Sequence, residues 1–524
     1  MIFWLILVLA FVLYYILIKP HRFWKDKGVR QGKPWILLGD TWGTMFGLMD
    51  VAQSIKHFYD KFPGVRYYGI YQFLKPKFVV KDPELIKRIT VKDFDHFVDH
   101  VAMVDPEADP LFAKNLLNLR GDDWRNMRST LSGSFTSSKM KAMFALMTDA
   151  AENFVKYFKK QNEDLLEVEL KDAFTRFTID VIATTSFGVQ VNSLEEKKNE
   201  FFLMGKEITH LSFFFFLKLL VFWFSPSLFK RFKFRMFRKA VTDFFTRVIT
   251  DTIRTREAKG IYRPDMLQIL IEAKKGAEKE ETNIGEVGFA ATKEFIPAKS
   301  KITKELTDED ITAQAVIFFF AGFDSVSSAM TFATYELATH PDVQERLRQE
   351  IQETLNASNG KVTFEALTSM KYMDMVLSES LRKWPSFVAL GRECTKPYVI
   401  EPTHPEEKRV VIPKGTPVQI PLYGIHHDPK YYPNPANFDP ERFSPENRHK
   451  ITPYTYLPFG SGPRNCLGSR FALLEVKTVI FYVLNNFELL VIDKTQVPIK
   501  LSKKFVINIR PDKGLWLGLK KIAK

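Results

Sequence analysis

The apolar and polar positions divide the chain into unequal parts. Residues 2–18 (IFWLILVLAFVLYYILI) are 17 apolar positions in a row without a charge. At ~1.5 Å per residue they make about 26 Å of helix, the short end of what a bilayer core of about 30 Å needs. Basic residues follow at Lys19, Arg22, Lys25, Lys27 and Arg30. A cleaved signal peptide opens on a basic region and closes on small residues, and this segment has neither. It reads as an uncleaved anchor over residues 1–19. Pro20 and Pro34 are expected to break the exit, and the basic flank to hold the body on the cytosolic side.

A second apolar run, 211–229 (LSFFFFLKLLVFWFSPSLF), is interrupted by Lys218 and Pro226 and followed by Lys230, Arg231 and Lys233. It predicts a helix–turn–helix whose greasy face dips into the bilayer interface without crossing it. Residues 273–304 turn polar and read as a solvated connection. Thr307-Asp308-Glu309-Asp310 then supplies an N-cap and an acidic first turn. The helix it opens is about thirty residues long, so it should cross the middle of the protein. Helical periodicity dominates between residues 120 and 385. Strand-like runs lie at 65–80, at 409–420 around the turn Pro413-Lys414-Gly415, and at 505–517. The predicted fold class is mostly α with a small β-sheet lobe (α+β) built from both ends of the chain. It forms one large domain over 20–524 behind the anchor.

Composition sharpens this in three ways. Of 524 residues, 45% are hydrophobic and 48 are phenylalanine, which allows a large core and suits greasy ligands. The formal charge of +14 favours anionic lipid or an acidic partner protein. No basic block interleaved with aromatics marks a nucleic-acid surface. The two cysteines, Cys394 and Cys466, give no disulfide framework and fit a reducing compartment. Cys394 reads as a buried structural thiol.

Cys466 lies in FGSGPRNCLG (459–468), among three glycines, a proline and an arginine. Structural zinc needs about four ligands at close spacing, and none surround it. A nucleophile would want a base beside it, and the loop offers none. A thiolate on a haem iron needs only itself from the protein. Gly460 and Gly462 would let the loop fold under a ring, and Gly468 would let the next helix start close against it, its N-terminus stabilising the thiolate. Arg464 could reach a propionate.

FGSGPRNCLG closely resembles the haem signature of the cytochrome P450 family of haem-thiolate monooxygenases. Glu379-Ser-Leu-Arg382 matches the family's ExxR helix, Pro440-Glu-Arg-Phe443 its PERF element, and Ala321-Gly-Phe-Asp-Ser325 resembles its oxygen-activation motif. The likeness runs from the anchor to the C-terminal strands and is strongest to insect microsomal detoxification members. It implies haem b with Cys466 as axial thiolate and sole protein ligand to the iron, in a cradle that includes Phe459, Gly460, Arg464 and Gly468. It further implies propionate contacts from Trp124, Arg128 and Arg392, and a buried triad of Glu379, Arg382 and Arg442. It places the enzyme on the endoplasmic reticulum, facing the cytosol. Electrons would come from NADPH-cytochrome P450 reductase, and cytochrome b5 is admitted beside it. Substrate recognition would fall to residues 98–117, 203–216, 318–323, 385–391 and 500–505.

The central helix then carries the chemistry. Asp324 and Ser325 follow the small residues Ala321 and Gly322, which would let oxygen and substrate approach. A mid-helix hydroxyl can bond the carbonyl a turn earlier and open a kink for a water that relays protons, with Asp324 as their source. The family usually has threonine at position 325, and serine lacks the methyl that fixes the rotamer. Oxygen use is therefore expected to be less tightly coupled to product than is usual. No GxGxxG follows a strand, so the reductant must arrive on a partner. Two rival readings stand beside the monooxygenase. One is a haem-thiolate peroxide isomerase or dehydratase without a reductase, and the other a haem-binding sensor or carrier.

Overall fold

The structure is a computed structural model that describes residues 1–102, 104, 106–132, 135, 137–209, 213–235, 237–263, 265–275, 288–292, 306–504 and 508–522. Most of the polar connection at 273–304 lies outside them. The N-terminal helix Ile2–Leu13 has no buried residue. The expected break at Pro20 is not made, because the helix changes pitch instead. Tyr14–Ile18 forms a π turn, with the Lys19 N–H bonded to the Tyr14 carbonyl, and Lys19–Arg22 tightens to a 3₁₀ turn. The widened turn accommodates a proline that an α-helix would reject. Helix Phe23–Asp26 then docks. Trp24 is fully buried, its backbone N–H donates to the Tyr71 hydroxyl, and its indole donates to the Ile70 carbonyl. A Cβ at Gly69 would lie 2.2 Å from the Trp24 ring, so only glycine fits there.

Three sheets form the β-lobe. Strands β1 (Tyr67–Gln72) and β2 (Lys75–Val80) make a hairpin. β2 runs parallel to β7 (Pro417–Ile420), which pairs antiparallel with β4 (Leu390–Glu393), giving the order β1-β2-β7-β4. The middle of the chain thus reaches the N-terminal hairpin. β5 (Tyr398–Ile400) pairs with β6 (Val410–Ile412). β3 (Leu165–Glu169) and β8 (Phe487–Leu490) flank β9 (Trp516–Lys521). The run at 409–420 reads as one hairpin around Pro413-Lys414-Gly415 in the sequence, but the structure divides it between two sheets. The turn is made, with Gly415 at φ +83°. It swings β7 away from β6 because both of β7's edges are taken by β2 and β4. Of the run expected at 505–517, residues 505–507 lie outside the described residues and the strand begins only at Trp516.

The central helix spans Asp308–Thr339, closed at its start by a capping box between Thr307 and Asp310. It packs most closely along helix Leu170–Ile182. Its length and composition would cross a bilayer, yet 67% of its most apolar window is buried in protein. Helices Phe213–Phe224 and Pro226–Arg231 follow the predicted helix–turn–helix, and Leu211 and Ser212 lie outside the described residues. Phe214, Leu217, Phe224 and Leu228 are exposed. Phe224 meets Phe73, whose carbonyl accepts from His21, so this greasy face adjoins the exit of the anchor.

Behind the core, helix Lys371–Lys383 ends one residue short of Pro385. Glu379 and Arg382 on it have no exposure at all. Arg382 donates Nε to Glu379 Oε2 (2.6 Å) and Nη2 to Oε1 (2.8 Å). It also donates to the carbonyls of His426 (2.7 Å) and Pro435 (2.9 Å). Arg442 Nε stands 3.4 Å from Glu379 Oε1, and the Asp439 N–H donates to the same oxygen. A buried ion pair survives only when its remaining donors are matched, as here. Removing one partner by Arg382→Ala leaves a buried carboxylate alone and should cost about 3–5 kcal/mol of folding free energy. Denaturant unfolding of the purified variant, or loss of folded protein on expression, checks this.

His426 ties this pair to the loop beyond it. Its Nδ1 donates to the Arg382 carbonyl (3.1 Å), and its Nε2 accepts the Leu457 N–H (3.1 Å), which fixes the neutral tautomer. Burial pushes its pKa down to about 3, with His427 and Arg382 adding to the shift. A histidine depressed in the folded state loses its stabilising contribution as pH falls below the unfolded value of about 6.5. Buried carboxyls such as Asp180, pushed up to about 7, act in the opposite sense, so the test is differential. Between pH 7 and pH 5, native protein should lose about 2 kcal/mol more stability than His426→Gln, read from urea midpoints at the two pH values.

Candidate functional site

The loop 459–468 is a chain of local hydrogen bonds on the Leu457 end that His426 holds. The Gly460 N–H bonds to Leu457, Asn465 to Gly462, and Cys466 to Phe459 (2.8 Å). Gly460 and Gly462 both take left-handed backbone, φ +78° and +72°. Gly462 is demanded by its neighbour, because a Cβ there would lie 1.7 Å from the Thr90 carbonyl oxygen. A Cβ on Gly468 would meet only Phe135, at 3.9 Å, so the space beside the start of helix Ser469–Leu484 is open.

Arginines hold the loop from outside. Arg128 donates to the Asn465 carbonyl (2.8 Å) and side-chain oxygen (2.6 Å). Arg464 donates to the carbonyls of Val98, Leu116 and Leu119 and lies over the Trp124 ring at 4.1 Å. Its guanidinium is committed to fastening the segment 98–119 onto the loop. Burial pushes its pKa down to about 8. Trp124 and Arg128 share one face of helix Gly121–Ser132, and both are buried.

The Cys466 sulfur is surrounded by protein, and that burial raises the thiol's pKa, while the Gly468 N–H and Arg128 pull it down. Yet the residue is exposed. Both hold when a side chain lines an internal cavity. On the central helix, Ala321 is exposed between Phe319 and Phe323, which are fully buried. Phe135, beside Gly468, has its ring 6.1 Å from Phe318 of the central helix, and Leu390 borders Gly460. Loop, central helix and β4 therefore bound one space.

Arg392 on β4 is 2% exposed, and its Nε and Nη2 have no hydrogen-bond partner among the described residues. Burial alone pushes its pKa down to about 10. An uncompensated buried guanidinium in a cavity wall calls for an anion. Cys466 offers a single soft donor, and no cluster of three metal-ligating side chains occurs among the described residues. One thiolate, an orphaned arginine and an open approach at Gly468 fit the haem implied by the sequence motifs.

The central helix presents two chemistries on two sides. Ser325 Oγ donates to the Ala321 carbonyl (2.6 Å), beside the cavity face. The helix remains α throughout, so this bond opens no break. Gly322 faces the other way, since a Cβ on it would lie 2.7 Å from Ile182 of the neighbouring helix. Its smallness serves helix packing, and Ala321 alone opens the cavity side. Asp324 is 4% exposed and sits in a cage: Lys171 Nζ at 3.1 Å, Arg510 Nη2 at 2.9 Å and Asn508 Nδ2 at 2.7 Å. Burial would raise its pKa, but the two cations and the amide win and hold it far below the carboxylate range. Asp324 is thus an ionised acceptor and not a stored proton. Lys171, Asn508, Arg510 and His426 carry no spacing signal, because they come from segments far apart in the chain.

The chain matches the family model described as Cytochrome P450 over residues 33–516. It is 46% identical over 517 residues to "Cytochrome P450 9e2" of Blattella germanica, covering 95% of this chain and 94% of that protein. It is 39% identical over 509 residues to "Probable cytochrome P450 9f2" of Drosophila melanogaster, covering 95% of each. It is 38% identical over 499 residues to "Cytochrome P450 6k1" of Blattella germanica, covering 95% and 92%. With the thiol-lined cavity and its buried arginines, this coverage establishes that the chain belongs to the cytochrome P450 family, the haem-thiolate monooxygenases.

Proposed function

We propose that the protein inserts one oxygen atom from dioxygen into a lipophilic small molecule, with electrons passed from NADPH through a separate membrane-bound reductase. The family binds haem b through a cysteine thiolate. Cys466 is the ligand in this reading, and the observation that carries it is the enclosed yet accessible thiol at the start of helix Ser469–Leu484. When bound, the haem supplies the activation of dioxygen. The protein supplies the rest. Arg392 would face the propionates, with Arg128 and Trp124 beside it, while Arg464 fastens the wall and Glu379, Arg382 and Arg442 hold the scaffold. Phe135 and Phe318, in ring contact beside Gly468, and Leu390 beside Gly460 make the cavity wall apolar, which favours xenobiotics, terpenoids or hormone-like molecules.

Residues 1–19 anchor the domain 20–524 in the endoplasmic reticulum membrane, with the domain on the cytosolic side. The wholly exposed apolar helix and the greasy face Phe214, Leu217, Phe224 and Leu228 support this. The charge of +14 suits docking of an acidic reductase, with cytochrome b5 as a second candidate donor. A peroxide isomerase needs no proton delivery, so the caged Asp324 and the Ser325 hydroxyl favour the monooxygenase over it.

Reconstituted with reductase, the full-length protein should consume NADPH in the presence of oxygen and a lipophilic substrate, which a sensor or carrier would not do. Reduced protein with carbon monoxide should show the red-shifted band of a thiolate-bound haem. Cys466→Ala should lose that band; its persistence would mean that another group holds the iron.

Protons reach the cavity past Asp324 and Ser325. Asp324, held as a carboxylate, fixes the Lys171 ammonium 3.1 Å away on one side of the helix, and the Ser325 hydroxyl stands beside Ala321 on the cavity side. Placed acid–base groups are worth about 10²–10⁴ in rate, so Asp324→Asn should slow NADPH oxidation by that order. Losing the hydroxyl should mainly waste electrons: Ser325→Ala should raise hydrogen peroxide released per NADPH, and Ser325→Thr should lower it. Parallel assays of NADPH, peroxide and product decide. An unchanged peroxide-to-product ratio in Ser325→Ala would move the relay to Ser327 or Ser328.

A further inference from the structure

His100 stands beside the orphaned arginine of the cavity wall and has no role in the chemistry above. Its Nδ1 lies 2.9 Å from the Gly391 carbonyl, which can only accept, so Nδ1 carries the hydrogen. Arg392 Nη1 donates to the same carbonyl at 2.9 Å and stands 3.5 Å from Nδ1. Nε2 is therefore an acceptor in the neutral ring, without a partner among the described residues. Like Cys466, the residue is closed in by protein yet only half-buried, so the ring borders an internal space.

The charges around it do not balance. Arg392 and Arg464 both face His100 and, with burial, drive its pKa well below the usual histidine value. Asp99 stands 3.6 Å from Arg464 and is shared with Arg120, which also holds Glu393. Arg392 has no carboxylate partner among the described residues. A dianionic ligand against this wall would reverse the field at His100 and favour the imidazolium.

Resting on the haem assignment above, we infer that His100 is a titratable member of the site that receives the haem carboxylates, gaining a proton as the haem gains an electron. Its Nδ1–H stays on Gly391 while Nε2 takes up the proton. Reduction adds one negative charge to the haem, which raises the imidazole's proton affinity, so the reduced state binds more protons than the oxidised one. The potential must then fall as pH rises. One proton per electron is a tenfold change in the reduction equilibrium per pH unit, about 59 mV.

The test is the haem reduction potential of the full-length holoprotein between about pH 5.5 and pH 8.5. The native protein should show a sloping segment approaching that limit. His100→Asn keeps a side-chain N–H for Gly391 but lacks Nε2, and should flatten the segment. His100→Arg is charged throughout and should also be flat, at a higher potential than His100→Asn. A flat native profile, or an undiminished slope in His100→Asn, overturns the inference. The thiolate band of the carbon monoxide complex, recorded on the same samples, reports separately on the Cys466 assignment.

Discussion

A carboxylate and a guanidinium with no access to solvent, Glu379 and Arg382, can persist inside this protein only because nearly every donor and acceptor between them is matched. The matching groups come from elsewhere: the carbonyls of His426 and Pro435, the N–H of Asp439, and the guanidinium of Arg442. Folding the pair therefore fixes the course of residues 426–442. His426 extends the constraint through Leu457 into the loop that carries Cys466. The sulfur's position follows from a buried charge on the far side of the core.

The site itself is built from excess positive charge. Arg128, Arg392 and Arg464 are all buried, and two of them spend their donors on backbone carbonyls that pin the loop and the segment 98–119. Arg392 keeps two nitrogens that have no partner among the described residues. A buried guanidinium left so is preorganised for an anion. On the opposite side of the central helix the balance is reversed. There two cations and an amide hold Asp324 as a carboxylate.

The apolar N-terminal helix runs on into the β-lobe as continuous helix through Asp26. The anchor helix alters its pitch at Tyr14–Ile18, and Trp24 seats against Gly69. The greasy helices reach the same place through Phe224 and Phe73. The N-terminal helix, the greasy helices and the hairpin thus meet at one strand end.

Local chemistry was legible in the sequence alone. The loop FGSGPRNCLG, the capped central helix at Thr307, the i,i+3 pair Glu379 and Arg382, the anchor and the greasy helix–turn–helix all depend on neighbours within a few residues, so spacing reports them. The structure decided everything that depends on segments far apart. It divided 409–420 between two sheets, because the partners of β7 lie near residues 80 and 390. It turned Gly322 toward Ile182, and it committed Arg464 to carbonyls of residues 98–119. It made Asp324 an acceptor by bringing Lys171 and Arg510 to it from opposite ends of the chain. A side chain's proton affinity and its free donors are set by what surrounds it in space, and only the tertiary fold brings those surroundings together.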